Sequence, residues 1–589
     1  MSNAINEVEE EENIKKELIG QNKDIEVGTL SKKKLIILYG STIGGMLLIV
    51  ITVFLISLSF GDLNEENSND NKKDDKNEQE NINIIWNKEK NSFLAIYTQE
   101  NNYTEINIIN RNYIDYISSM IVDGNETITD INETYLFNST GKHYIIFQLK
   151  NNLNSMEKMF ENISKLLEVD LSLVETKNVE SMSELFYQCK LLTKINLMNI
   201  KTEKVINMSL LFYGCSSLQT IKISNFDTSN VIDMDYMFTR CGALTSLNVS
   251  NFNTKNVKTM KYMFSNCDSL LDINLGNNFI TSHIEDITGL FSFCPKLKKI
   301  DLPNIDTSKI TNMSQLFHND ISLTSIDLSK FVTTNVVDMS YLFFGCVELT
   351  SIDLQYFDTS NVVDMKYMFN GCKKLNELKI NNINTKKVKN MKFMFSECMS
   401  LESIDLSSFD TSEVTTMSGL FDYCLSLTSL DLTKFKTDKV VDMSFMFAAS
   451  NKLTSIDLSY FNTENVIKMN NLFYGCYSLT YINLSGFDTK KVETISGMFG
   501  RCKSLTSLDL SFFNTDNIDS MYDIFLSCQN LQFLDIRNFN TSKISNYTKL
   551  FDDVKENGTI IYNSKMFDVF FFANNSLETW EHYDISYTQ

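Results

Sequence analysis

Proline is nearly missing from this 589-residue chain, with Pro295 and Pro303 the only two, so no proline-rich linker divides it. Histidine is almost as scarce. His143, His283, His318 and His582 lie far apart with no ligand spacing, and no CxxC or Cys/His pattern of a zinc site occurs. Basic charge is in deficit, 53 Lys and Arg against 74 Asp and Glu, for a net charge of -21. A nucleic-acid partner needs basic surface to release counterions from the phosphate backbone, so that class is excluded. There is no P-loop, no dinucleotide fingerprint and no EF-hand loop, and nothing implies a cofactor. A catalytic site needs one exceptional set of groups, and none is marked, so an enzyme is not expected.

Long apolar runs are absent with one exception. Leu35 to Phe60 holds 26 residues without a charge. About 20 apolar residues suffice to span a bilayer, whereas the apolar core of a cleaved leader is about 7–15 residues long. The run predicts a retained single-pass anchor. Lys32, Lys33 and Lys34 abut its amino side, while Asp62, Glu65, Glu66 and Asp70 precede the first lysine beyond it, Lys72. That asymmetry places residues 1–34 in the cytoplasm and the rest outside the plasma membrane. Residues 61–83 are acidic and amide-rich with almost nothing apolar, which reads as a disordered stalk.

What the chain has in quantity is repetition. Taking leucine as position 1, units begin at Leu166, Leu192, Leu218, Leu244, Leu270, Leu297, Leu323, Leu349, Leu375, Leu401, Leu427, Leu453, Leu479, Leu505 and Leu531. These fifteen coils have 26 residues each, except the 27-residue coil at Leu270. Their consensus is LTSIDLSxFDTSxVxDMSxMFxxCxS. Positions 4 and 6 alternate with polar neighbours, which is strand spacing, and positions 17, 20, 21 and 24 are spaced for a short helical turn. One unit cannot bury so many apolar groups alone, so stacked coils must share a core. The expected fold is a solenoid with a parallel strand in every coil and a short turn or helix on the other side, 166–557. A β-rich cap with a leading half repeat precedes it, 84–165, and a C-terminal cap follows, 558–589.

Three positions are nearly invariant. Position 21 is Phe in every coil and reads as a core ladder. Position 11 is always Thr, a corner hydroxyl able to bond neighbouring backbone. Position 24 holds all twelve cysteines. Stacked coils bring their Cβ atoms about 5 Å apart, too far for a disulfide, so a ladder of buried thiols is expected. Asp320, Ser450 and Val554 interrupt it.

The segments "FDTSNVIDMDYMFTRC", Phe226 to Cys241, and "FDTSNVVDMKYMFNGC", Phe357 to Cys372, resemble the BspA-type leucine-rich repeat of bacterial and protist surface proteins. The resemblance implies a right-handed leucine-rich-repeat-like solenoid with strands on a concave face, and a cell-surface role in adhesion or recognition, with proteins or glycans outside the cell as partners. It carries over no catalytic residues. Position 5 points out of the strand, and the candidate binding residues are therefore a concave acidic strip: Asp301, Asp327, Asp353, Asp405, Asp431 and Asp457. Two rival functions remain. The rod could act as a structural coat or spacer through weak homo-association, or as the ectodomain of a signalling receptor.

Overall fold

The structure, a computed structural model, describes residues 86, 89–101, 104–563 and 579–584, all within one compact unit, Ile82–Gln589. The expected cytoplasmic tail 1–34, membrane helix 35–60 and stalk 61–83 lie outside the described residues. Among the described residues no helix is long and apolar enough to cross a membrane.

The fifteen units form a β-solenoid, numbered here as coils 1 to 15 from Leu166 to Leu531. Phe160 of the half repeat and the position-21 phenylalanines through Phe551 make one continuous stack. Successive ring centroids lie 5.4 to 6.2 Å apart with planes within 18°. Phe93 closes the stack edge-on against Phe160 at 5.8 Å. Around this column the leucines of position 1 and, in coils 1 to 14, the residues of positions 14, 17 and 20 are essentially inaccessible, and one core cluster runs from the amino cap to Trp580.

The second leg of each coil is not helical. Its backbone makes successive tight turns, as in Leu420 N–H to Met417 O and Cys424 N–H to Phe421 O. Every coil places two residues at positive φ, four apart, such as Tyr341 and Gly345, or Gly419 and Tyr423. A turn with positive φ at its third residue throws its remaining N–H groups sideways. They donate to the next coil: Met417 to Asp442 O, Gly419 to Ser444 O, Phe421 to Met446 O and Tyr423 to Ala448 O, at 2.7–3.0 Å. An α-helix would spend those donors on itself. The threes-and-fours spacing was therefore produced by paired turns and not by a helical turn. Gly419 sits under the Phe393 ring, where a Cβ would come within 2.2 Å.

Strands occupy the opposite leg in ten coils: β7 (Leu166–Asp170), β8 (Lys194–Asn196), β9 (Ser246–Asn248), β10 (Asp272–Asn274), β11 (Ser351–Asp353), β12 (Glu377–Lys379), β13 (Ser455–Asp457), β14 (Tyr481–Asn483), β15 (Ser507–Asp509) and β16 (Phe533–Asp535). They pair in parallel by twos: β7 with β8, β9 with β10, β11 with β12, β13 with β14 and β15 with β16. Coils 3, 6, 7, 10 and 11 have no strand, contrary to one strand per coil. Isolated parallel bridges at position 16 run instead from Ser181 to Thr494 without a break, and one more joins Ser520 to Asn546.

Both ends are capped by sheet. At the amino end β1 (Ser92–Gln99) lies between β6 (Gly141–Leu149) and β7, antiparallel to both, and joins the cap to coil 1. β3 (Ile117–Val122) and β4 (Glu126–Ile128) extend that sheet outward, and β2 (Ile106–Asn107) pairs separately with β5 (Thr134–Tyr135). The half repeat stands as expected, with Met156, Met159, Phe160 and Ile163 buried in register with the coils. At the far end β17 (Thr559–Tyr562) and β18 (Glu581–Asp584) continue the β15–β16 sheet in parallel. Trp580 covers Gly558 and donates its Nε1–H to Lys555 O at 2.7 Å.

Candidate binding face

Position 5 follows the buried apolar residue at position 4, so its side chain leaves the strand leg outward. Asp301, Asp327, Asp405, Asp431 and Asp457 are exposed, and Asp353 at the end of β11 is half-buried. They lie on one leg in coils 6 to 8 and 10 to 12, with Lys379 of coil 9 between the two runs. Most of them also have a structural duty. The Oδ1 of Asp327, Asp353, Asp405, Asp431 and Asp457 accepts the backbone N–H two residues on at 2.9–3.0 Å. This Asx turn ends the strand leg. The hydroxyl and amide of Ser329, Ser407 and Thr433 hold the Asp327, Asp405 and Asp431 carboxyls below the usual carboxylate range, and the Ser459 amide and hydroxyl do so for Asp457. Asp301 lacks that bond because Pro303 has no N–H, and it pairs with Lys299 at 2.6 Å. Lys379 of the next coil lies 3.5 Å from Asp353. Among the described residues Asp327 and the run Asp405, Asp431 and Asp457 in coils 10 to 12 form no ion pair, although Lys330 and Lys434 of the same coils help to lower Asp327 and Asp431. Among the described residues no group of acidic, Cys or His side chains is arranged to hold a metal.

The same device recurs at two further corners. Asp227 at position 10 caps Ser229, and Asp338 at position 16 caps Ser340, at 2.8–2.9 Å. Up to three Asx corners in a coil help to account for the abundance of Asn and Asp. Position 11 adds a clamp. The Thr411 hydroxyl donates to Lys436 O and accepts Lys436 N–H, both at 2.8 Å, and the pattern repeats along the stack.

The cysteines are all free and buried, as expected. Each thiol also has a task that its spacing did not reveal: it donates to the carbonyl of the ladder phenylalanine one coil back, as Cys424 does to Phe395 O at 3.2 Å. Ser450 does the same to Phe421 O at 2.8 Å. Asp320 is the chemical exception. It is fully buried, its Oδ1 accepts Cys294 N–H at 2.8 Å, and its Oδ2 has no partner. Burial, then the neighbouring Cys294, push its carboxyl far above the ordinary range. The neutral acid can donate as a thiol does; the carboxylate cannot. Two residues earlier, His318 lies among Phe293, Tyr341 and Phe344, and burial pulls its imidazole down to about 4.

Sequence reasoning missed the most exposed rings of this leg. Tyr356 and Tyr460 at position 8 are 66% and 65% accessible. Their signal was an aromatic where other coils carry Asn.

The repeat and its geometry match a family model described as a Mycoplasma protein of unknown function, DUF285, in overlapping segments that run from residue 127 to residue 563. The chain belongs to the DUF285 family. No curated protein matches it. Among solved structures, a leucine-rich cell surface protein from Faecalibacterium prausnitzii is 18% identical, with 57% of this chain and 88% of that one covered and a TM-score of 0.30. A Leptospira interrogans leucine-rich-repeat protein is 13% identical over 69% and 95%, with a TM-score of 0.20. The functional domain of InlJ from Listeria monocytogenes, described as including a cysteine ladder, is 14% identical over 62% and 67%, with a TM-score of 0.15. TM-scores this low carry no argument about function. The DUF285 solenoid is established by its own coils.

Proposed function

We propose that this DUF285 chain is a BspA-type surface protein, anchored in the plasma membrane through residues 35–60, whose solenoid recognises or adheres to proteins or glycans outside the cell. One observation carries the reading: fifteen coils share a continuous core and present one long exposed leg, with acids that form no ion pair on successive coils 10 to 12. Extended repeat surfaces of this kind engage macromolecules. The unpaired acids favour a basic partner segment, with Asp405, Asp431 and Asp457 as the first contacts and Asp327 beside them. Asp301 and Asp353 contribute less because lysines already meet them. No chemical step is assigned.

The test is cell-surface display of the full chain followed by binding to a panel of matrix proteins, glycans and whole cells. Selective retention of one class, weakened in Asp405→Asn/Asp431→Asn/Asp457→Asn, supports the reading. Asn keeps each Asx turn, so the variant isolates charge. Retention unchanged by the triple variant removes the strip, and a chain found in the cytosol removes the whole proposal.

A second reading, a surface coat built by self-association, is favoured by one observation. Exposed features recur every four coils: Lys330 and Tyr356 in coils 7 and 8 are repeated by Lys434 and Tyr460 in coils 11 and 12.

A further inference from the structure

Position 8 has a default occupant that looks inward. Asn199, Asn225, Asn251, Asn304, Asn382 and Asn538 each donate to a carbonyl of the preceding coil, and Ser408 does likewise. Coils 7, 8, 11 and 12 abandon that residue for Lys330, Tyr356, Lys434 and Tyr460, and coils 1, 13 and 14 carry Leu173, Gly486 and Phe512 there. The Lys330 ammonium still reaches Pro303 O at 3.0 Å, with two further donors to spare. Among the described residues the other three make no hydrogen bond through their side-chain tips, and Lys434 acts on Asp431 of its own coil without forming an ion pair. Replacing a bonded amide by a tyrosine two-thirds exposed does not serve the coil that carries it.

The four residues have an order with a consequence. Along one edge they read Lys, Tyr, two inward-turned residues, Lys, Tyr. If a second copy lies alongside in the opposite direction, coil 8 meets coil 11 and coil 7 meets coil 12. Tyr356 then faces Lys434 of the second copy and Tyr460 faces its Lys330, and the two-fold axis repeats both pairs. All four side chains find an opposite kind at once, and none meets its own kind. The axis passes between coils 9 and 10, where Asn382 and Ser408 are turned inward and leave room. A residue i that meets j while j meets i is the signature of a two-fold interface. An ammonium over a tyrosine ring is attracted by the ring quadrupole. Parallel alignment in register would set lysine on lysine instead.

We propose that the position-8 edge is a self-complementary surface whose occupant is a second copy of this chain, packed antiparallel about coils 9 and 10. The inference rests on the self-association reading and specifies its geometry.

The full chain in detergent provides the test, at about 0.15 M salt, where a Debye length of about 8 Å limits repulsion between two highly negative copies. One population carries Tyr356→Cys and the other Lys434→Cys, and a short bis-maleimide joins exposed thiols; the twelve native cysteines are buried. The expected result is a crosslink between the two populations and none for Tyr356→Cys mixed with Lys330→Cys, whose coils stand about 19 Å out of register. Tyr356→Lys/Tyr460→Lys is expected to weaken association roughly 30-fold or more. Adding Lys330→Tyr/Lys434→Tyr, which swaps every partner, is expected to restore it. Equal crosslinking of both mixtures, no crosslink at all, or association indifferent to the substitutions overturns the inference. In the last case self-association itself survives and only this surface fails.

Discussion

The two legs of a coil obey different rules. On the turn leg every coil repeats the same two positive-φ residues, the same donations to the next coil and the same ring in the column. On the strand leg only five pairs of coils have paired strands, and the pairing lapses in coils 3, 6, 7, 10 and 11. The stack is therefore held chiefly by its turns. The strand leg is left free to vary, and it is where Asp301 to Asp457, Lys330 and Tyr356 change the surface without disturbing the core.

The largest test of that contrast is Phe421→Ala on the ring column. Loss of a buried phenylalanine costs about 3–5 kcal/mol, and thermal unfolding should shift accordingly. An unchanged unfolding curve would mean that the turn leg is not the source of stability.

Next comes Asp320→Asn, which places a donor at this position without the cost of keeping a carboxyl protonated. Removing that cost should stabilise the chain by about 1–3 kcal/mol at neutral pH. The sign follows from linkage. The folded carboxyl is raised, so its contribution is full below its unfolded value and is lost as pH rises through the folded one. Asp422, pushed up to about 7 by burial and then by Glu397, loses its contribution between its unfolded value and about pH 7 in the same sense. His318 slopes the other way: depressed to about 4, it contributes above its unfolded value and loses that as pH falls. Urea titrations from pH 4 to 8 should show the Asn variant gaining most at the alkaline end. A gain independent of pH would refute the neutral acid.

Thr411→Val removes a clamp that both donates and accepts, leaving the Lys436 amide and carbonyl without it, for a loss of about 1–3 kcal/mol; Thr411→Ser should lose far less. The smallest effects belong to the strand leg. Asp405→Ala forfeits one solvent-exposed turn bond and should lose less than Thr411→Val, and Asp405→Asn should be nearly silent in calorimetry. If Asp405→Asn proved as costly as Phe421→Ala, the division between the legs would collapse.

Much of this was readable in residues. The 26-residue period, the phenylalanine column, the threonine corner, the thiol ladder and the half repeat at Met156 all followed from spacing and burial. The choice between turn and helix on the second leg did not, because along any one coil the spacing suits both. Read across coils, the two positive-φ positions collect Gly214, Gly289, Gly345, Gly371, Gly419, Gly475 and Gly497, which a helix interior would disfavour. Tyrosine, phenylalanine and lysine at the same positions hid that signal. The capping duty of the position-5 acids escaped notice. The interchange of Asp with Asn at position 5, at Asn248 and Asn483 for example, preserves an acceptor and not a charge.

Because each coil's donors end on its immediate neighbour, a coil needs to know nothing about the ones beyond. Copying any whole number of units into the gene would yield a longer protein that folds without further adjustment, each added unit advancing the tip by about 4.8 Å. Length is then an inheritable dial: a lineage could set how far this molecule reaches by recombination alone, while every inserted segment arrives already fitted to those on either side.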